Sequence, residues 1–193
     1  MVSLAQLWLP ILLAAVGIHI ASAIIHMFLH FWHSADYHGF SNEDAVQAAL
    51  AKGNPAPGIY MIPYCKPEDM RKPETIEKFK KTPQAYLFVR NASGMNMAKP
   101  LIQWFIFCLV VALFGAYVSG AVLAAGTPGA QVCRVVSTVC FMAFGLGTIP
   151  YAIWFGEPWK SIGKALVDAL IYGFIAGGVF AYFWPAAVAA AAG

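Results

Sequence analysis

Apolar residues are concentrated in four long stretches of this chain, and one polar segment separates the first stretch from the other three. The stretches are Leu4–His33, Leu101–Ala125, Val132–Phe155 and Ile162–Trp184. An α-helix rises about 1.5 Å per residue, so about 20 apolar residues are enough to cross the hydrocarbon part of a bilayer. The pattern therefore predicts an all-α integral membrane protein with four transmembrane helices.

The polar segment Ser34–Lys99 predicts a small, proline-rich extramembrane layer between the first and second transmembrane helices. It holds nine of the twelve Lys and Arg residues and seven of the nine acidic residues. Within it we predict a short helix that ends at Gly53, a second helix over Pro73–Lys81, and a hairpin that pairs Ile59–Cys65 with Ala85–Arg90.

Composition supports the assignment to the membrane. Hydrophobic residues make up 60% of the chain, charged residues 11%, and the mean hydropathy is +0.66, whereas soluble domains contain about 25% charged residues. An aromatic content of 15% excludes disorder. The net charge of +3 arises from a mixed-sign segment and gives no basis for nucleic-acid binding. We expect a single membrane domain over 1–193, surrounded by the lipid bilayer.

The distribution of basic residues predicts the orientation. Loop 34–99 and the connection that contains Lys160 and Lys164 share one side of the membrane and carry eleven Lys and Arg residues, whereas the other side has only Arg134. The positive-inside rule then predicts that loop 34–99 is cytoplasmic and that both termini lie outside.

Four of the five histidines lie on the first predicted helix, at successive spacings of seven, four and three residues. They are His19, His26, His30 and His33. On a regular helix they fall within an arc of about 60° and form one polar stripe. Because ionisable groups inside a membrane normally face protein or water, we predict that this stripe is turned toward the other helices.

The end of this stripe has the composition of a metal site. A His pair at i and i+4 presents two nitrogens on one helix face, and another His or a carboxylate can complete the ligand set for Zn²⁺ or another transition metal. The candidate ligands are His26, His30, His33, Asp36 and His38. In the alternative interpretation these histidines only form hydrogen bonds between helices or lie at the headgroup level.

Two specific metal chemistries are disfavoured by residue identity. The segment from His26 to His30 lacks the Glu of the HExxH zinc-protease motif. A haem held between two helices needs a histidine on a second helix, and the second, third and fourth apolar stretches contain none.

Asp168 is the one acidic residue well inside a predicted transmembrane helix, and Lys164 precedes it by one turn. Measured along the helix axes from Lys160 and His33, Asp168 lies about 12 Å and His26 about 10 Å into the membrane. We therefore predict a His26–Asp168 contact, which is typical of a proton relay or an ion site. The alternative is a Lys164–Asp168 pair on one helix, with the lysine extended toward the interface.

Small residues predict where helices approach closely, because lipid gives no hydrophobic drive for helix association. They are Gly115, Ser119 and Gly120 in the second helix and Gly173 and Gly177 in the fourth. Packing within the four-helix bundle is favoured, and the alternative is a homo-oligomer or a larger membrane complex.

Several runs resemble a family of small, uncharacterised bacterial four-helix inner-membrane proteins. They are SAIIHMFLHFWHSADYHGFSNEDAV (Ser22–Val46), NPAPGIYMIP (Asn54–Pro63), QWF (Gln103–Phe105) and the fourth apolar stretch around Asp168. The resemblance implies a bacterial source, a location in the inner membrane and a four-helix fold, and it implies no activity.

These observations leave three functions open. No complete catalytic constellation is present, so an enzyme is less expected than a non-enzymatic accessory, assembly or scaffold component of a membrane complex. The first alternative is a metal-binding or proton-linked membrane protein that uses the histidine stripe. The second is a small transporter, for which only the helix-breaking Pro150 gives an indication.

Overall fold

The computed structural model describes residues 1–91 and 96–187, apart from the side chain of His30. Four of its helical stretches are long and apolar enough to cross a membrane: Leu4–Phe28, Ala98–Val122, Gly129–Phe155 and Trp159–Tyr182. The prediction of a mostly helical chain with four such helices is confirmed.

The regular elements follow one another along the chain with short connections. In order, they are α1 (Trp8–Ala23), α2 (His30–His33), α3 (Glu43–Gly53), β1 (Gly58–Ile62), α4 (Pro73–Lys81), β2 (Ala85–Val89), α5 (Ala98–Val122), α6 (Gly129–Phe144), α7 (Ile149–Phe155) and α8 (Trp159–Tyr182).

Three of the long helices, α5, α6 and α8, each begin three residues before the predicted boundary. The N-cap residues of α6 and α8 are Pro128 and Pro158, and Pro100 is the third residue of α5. Proline is well tolerated at helix starts, where its missing N–H would have no partner in the helix. Each of these helices therefore has a proline at or near its start, whereas the predicted boundaries lay at the first continuous apolar residues.

The first apolar stretch is not one continuous helix, and the prediction of a helix over 4–33 is wrong at its C-terminal end. The α-helix stops at Ala23, a π-helical turn covers Ile24–Phe28, and Leu29 has the non-helical angles φ −90° and ψ 62°. A short helix then restarts as α2. A π turn places one extra residue in the turn and thereby rotates everything that follows it.

The third apolar stretch is bent where the sequence places Gly145, Gly147 and Pro150. Helix α6 ends at Phe144, a 3₁₀ turn covers Leu146–Thr148, and α7 continues to Phe155. Proline within a helical stretch removes a backbone donor, which explains the change of helix type at this point.

The chain forms two compact units, which are Met1–Tyr37 with Met97–Gly193 and, separately, His38–Asn96. In the first unit α8 packs against α6 and α1, and α5 packs against α1 and α6. Its core is made mainly of small and aliphatic side chains from all four helices, together with the aromatic Phe180; they include Ala14, Ala15, Ile18, Cys108, Val111, Ala112, Val132, Val136 and Ala176.

The small residues of α8 allow its backbone to touch α6. A Cβ atom built on Gly173 would lie 2.9 Å from the backbone oxygen of Ser137, and one on Gly177 would lie 2.8 Å from that of Cys133. The Ser137 hydroxyl also donates a hydrogen bond to the Gly173 carbonyl at 2.9 Å. This glycine pair therefore packs within the chain.

The small residues of α5 are buried in the same way. A Cβ atom on Gly115 would lie 3.4 Å from a methyl group of Val136, and one on Gly120 would lie 2.5 Å from the backbone oxygen of Val2. The Ser119 hydroxyl donates to the Gly115 carbonyl at 2.7 Å. These positions also contact other parts of the same chain.

The second unit contains α3, α4 and a two-stranded antiparallel sheet. Strands β1 and β2 pair with Gly58 opposite Val89 and Ile62 opposite Ala85. The predicted hairpin and the two predicted short helices are therefore confirmed. Their position relative to a membrane stays a prediction.

Candidate metal centre

The break in the first apolar stretch brings two histidines together. His26 lies in the π turn and His33 ends α2, and their imidazole rings stack with centroids 4.5 Å apart and planes 9° from parallel. On a straight helix, seven residues would separate them by about 10 Å. The stack therefore depends on the π turn and on the break at Leu29.

A backbone hydrogen bond orients the His26 ring. Its Nδ1 atom lies 3.0 Å from the carbonyl oxygen of Ser22, one turn earlier. Because a carbonyl oxygen can only accept, Nδ1 is the donor in this bond, and the lone pair of neutral His26 is on Nε2.

Asp168 of α8 faces the end of the first apolar stretch, and its side chain is only 6% exposed. One carboxylate oxygen accepts a hydrogen bond from Nε2 of His33 at 2.6 Å, and the other accepts one from the indole Nε1 of Trp32 at 2.9 Å. Both oxygens thus have a donor from α2.

The predicted partner of Asp168 was His26, whereas the histidine that forms a hydrogen bond with Asp168 is His33. The prediction rested on the similar depths of His26 and Asp168 along straight helices, and the helix break brings His33 beside His26 as well. His26 nevertheless stays near the carboxylate. One ligand atom from each of His26, His33 and Asp168 lies within 4.8 Å of the other two.

These three residues form the candidate metal centre, a name used below for His26, His33 and Asp168. Two imidazole nitrogens and one carboxylate oxygen are a ligand set that suits Zn²⁺ and several other divalent transition metals. His26 is exposed, His33 is partly buried and Asp168 is buried. The centre therefore lies at the edge of the first unit and is open on one side.

Lys164 joins the same region from α8, one turn before Asp168. Its ammonium group donates to the backbone carbonyl of Trp32 and, at 2.6 Å, to a carboxylate oxygen of Asp36. The alternative prediction of a Lys164–Asp168 pair is wrong, because Lys164 binds the segment that follows α2 instead. These two hydrogen bonds hold that segment against α8.

Asp36 supports the centre and lies outside the group of three possible ligands. Its second carboxylate oxygen lies 3.7 Å from Nδ1 of His33 and has no hydrogen-bond partner among the described residues. The hydrogen bond from Lys164 lowers the pKa of Asp36, an effect that burial opposes and the charges of Lys164 and Lys160 reinforce. A charged Asp36 is therefore held near Nδ1 of His33, the ring nitrogen that faces away from Asp168.

The remaining predicted residues are not part of this group. His38 is exposed and belongs to the second unit, and the side chain of His30 lies outside the described part of the structure. His19 points toward α5, where its ring meets Phe105 edge-on at 5.5 Å. Its Nδ1 atom is buried without a partner among the described residues.

Sequence reasoning missed two residues that shape the centre. Trp32 donates to Asp168, and the carbonyl of Ser22 fixes the His26 ring. The bond to Ser22 uses a backbone carbonyl, which every residue carries, so the identity of Ser22 gave no signal for it.

Comparisons with protein-family models, with curated proteins and with solved structures find no match to this chain.

Proposed function

We propose that this protein is a multi-pass protein of a bacterial inner membrane that binds a divalent transition metal ion, with Zn²⁺ as the reference ion, at the candidate metal centre. The observation that carries the proposal is the convergence of His26, His33 and Asp168 to within 4.8 Å. They come from three separate elements, the π turn, α2 and α8.

The atoms around the ligands favour the same conclusion. Histidines that bind metals commonly donate their other ring N–H to a carbonyl or a carboxylate, which fixes the ring and makes the ligand nitrogen more basic. For His26 that partner is the Ser22 carbonyl, and for His33 the carboxylate of Asp36 lies beside Nδ1.

The spacing of the ligand atoms requires only local adjustment. In tetrahedral zinc sites with bonds of about 2.0–2.2 Å, ligand atoms lie about 3.4 Å apart. Here Nε2 of His33 and a carboxylate oxygen of Asp168 lie 2.6 Å apart, and one ligand atom from each of the three residues lies within 4.8 Å of the other two. Metal binding would replace the hydrogen bond between His33 and Asp168 by one metal bond to Nε2 of His33 and one to Asp168, and the Nε2 proton of neutral His33 would move to Nδ1, beside Asp36.

The Lys and Arg distribution supports a cytoplasmic location for the segment that follows α2, with both termini outside. The accessory or scaffold role stays a prediction, and the small residues that favoured helix partners are used within the chain. The transporter alternative also stays a prediction.

The test is a metal titration of the purified full chain in mild detergent after removal of metal by a chelator. We expect one Zn²⁺ per chain in competition with a chromophoric chelator. The single variants His26→Ala, His33→Ala and Asp168→Asn each remove one ligand, so each should weaken binding by at least about 100-fold, more than the loss of an outer hydrogen bond usually costs.

His38→Ala is the matched control, because it removes a histidine that the sequence predicted as a ligand and that lies in the other unit. We expect it to bind Zn²⁺ like the unchanged protein. Circular dichroism of each variant shows whether its helices are intact. Substoichiometric Zn²⁺ in the unchanged protein, or unchanged affinity in folded His26→Ala and Asp168→Asn, would overturn the proposal.

A further inference from the structure

Two consecutive residues of α2 donate to the two oxygens of the Asp168 carboxylate. Nε2 of His33 lies 2.6 Å from Oδ2, and the indole Nε1 of Trp32 lies 2.9 Å from Oδ1. The planes of the two donor rings are 78° apart. Each carboxylate oxygen therefore has its own donor, and the two donors differ in what they can do when a metal ion binds.

Metal binding releases one of the two oxygens and leaves the other bonded. A ring nitrogen of histidine that binds a metal carries no proton, so Nε2 of His33 gives up its bond to Oδ2 when it becomes a ligand. The indole nitrogen of Trp32 is a donor only and cannot bind a metal. Oδ2 is therefore the oxygen that becomes free for the ion, and Oδ1 keeps its bond to Trp32.

The indole donor is held in place by contacts other than this bond. The backbone carbonyl of Trp32 accepts a hydrogen bond from Lys164, and the Lys164 ammonium group lies 5.8 Å from the centre of the indole ring. The ring itself is partly buried against the core of the first unit. Hydrogen bonds to a charged acceptor are stronger than those between neutral groups, so Oδ1 would lose a favourable bond by turning toward the ion.

We propose that the indole N–H of Trp32 holds Asp168 as a ligand through one oxygen only, and thereby makes the candidate metal centre favour Zn²⁺ over Mn²⁺. This inference rests on the proposed function and names the residue that sets the ion preference. Three protein ligand atoms and one water molecule fill the four positions that Zn²⁺ prefers. Mn²⁺ prefers oxygen ligands and six positions, so it would gain from a second carboxylate oxygen. Trp32 acts through Asp168 and is a positioning residue.

The experiment compares Zn²⁺ and Mn²⁺ binding to the purified full chain and to Trp32→Phe, by competition with a chromophoric chelator. The variant removes the indole N–H and keeps an aromatic ring and the backbone carbonyl that binds Lys164. Zn²⁺ should bind more weakly and Mn²⁺ as well as before or better, so the ratio of the two affinities should fall about tenfold. A loss of packing alone would weaken both ions equally and leave the ratio unchanged.

Trp104→Phe is the matched control. It removes the indole N–H of another partly buried tryptophan of the first unit, one that has no hydrogen-bond partner among the described residues. The control should leave the ratio of affinities unchanged. An unchanged ratio in both variants would overturn the inference.

Co²⁺ gives a second readout, because it absorbs visible light strongly in four-coordinate sites and weakly in sites with more ligands. The unchanged protein should give the strong spectrum, and Trp32→Phe a weaker one as Oδ1 joins the ion. A weak spectrum in the unchanged protein would overturn the inference, and this measurement decides even if Trp32→Phe does not fold.

Failure of the inference and failure of the proposed function give different results. If Zn²⁺ binds with the expected stoichiometry but folded Trp32→Phe keeps the ratio and the Co²⁺ spectrum of the unchanged protein, the role of Trp32 is overturned and the metal centre stands. If Zn²⁺, Mn²⁺ and Co²⁺ all fail to bind to the unchanged protein, the metal proposal is overturned and this inference falls with it.

Discussion

The two halves of α8 make contacts of opposite kinds. Its first half presents Lys164 and Asp168 to the end of the first apolar stretch, and long polar side chains make the contact. Its second half presents Gly173 and Gly177 to α6, and there the backbones themselves meet. One helix thus combines a contact that depends on particular polar atoms with one that depends on the absence of side chains.

The difference separates the part of the helix suited to chemistry from the part suited to packing. In the polar half, each carboxylate oxygen of Asp168 has its own donor, so removing one group leaves other buried groups unpaired. In the small-residue half an added methyl group overpacks the contact with α6, where it meets the backbone of Cys133 and the Ser137 hydroxyl that donates to Gly173. The two halves should therefore respond to different classes of mutation.

The largest loss of stability is expected for Asp168→Leu, which removes the central hydrogen-bond acceptor of the polar half of α8. It leaves Trp32 Nε1 and His33 Nε2 without their acceptor, and removal of one partner of a buried pair costs about 3 kcal/mol or more. We expect a large loss of thermal stability of the purified protein in detergent, together with loss of Zn²⁺ binding.

Glu157→Leu is the control for this change, because Glu157 lies two residues before the start of α8 and is exposed. It should leave the midpoint of thermal unfolding almost unchanged. If Asp168→Leu unfolds at the same temperature as Glu157→Leu, the buried network around Asp168 does not stabilise the protein.

The packing half is tested by Gly177→Ala, with an expected loss of about 2 kcal/mol because the new methyl group overpacks the contact with α6. Gly178→Ala is a matched control on the next residue, where a Cβ atom would meet nothing within 4 Å. The control should be neutral or slightly stabilising, since Ala favours a helix more than Gly by about 1 kcal/mol. Equal thermal stability of the two variants would contradict the close α6–α8 contact.

Most of the fold was predictable because its signals are local or depend on composition. The four apolar stretches, the hairpin and the helix over Pro73–Lys81 follow from residue patterns that act within a few turns. The small residues of α8 also follow from such a pattern, since Gly173 and Gly177 lie on one face of any regular helix.

The residue types of the candidate metal centre could be predicted from the sequence, whereas the histidine that pairs with Asp168 could not. The histidine stripe and the intramembrane acid pointed to His26, His33 and Asp168, but the expected pairing assumed an unbroken helix. No local signal marks the π turn at Ile24–Phe28, because Ile, His, Met and Phe all fit a regular helix. The break is therefore a feature that tertiary contacts must decide, among them the bonds from Trp32 and Lys164.

The smallest effect is expected for the pH dependence of stability that Asp36 contributes. This dependence tests whether the hydrogen bond from Lys164 to Asp36 stabilises the polar half of α8. The pKa of Asp36 is lowered from 3.8 chiefly by the hydrogen bond from Lys164. A carboxylate with a lowered pKa in the folded state stabilises the protein fully above its ordinary pKa, and this contribution is lost as the pH falls through the lowered value. Asp36→Asn should therefore unfold at a lower temperature than the unchanged protein near pH 6, and the difference should shrink as the pH is lowered below 3.8. A constant difference for Asp36→Asn at all pH values would contradict the role of the Lys164 bond.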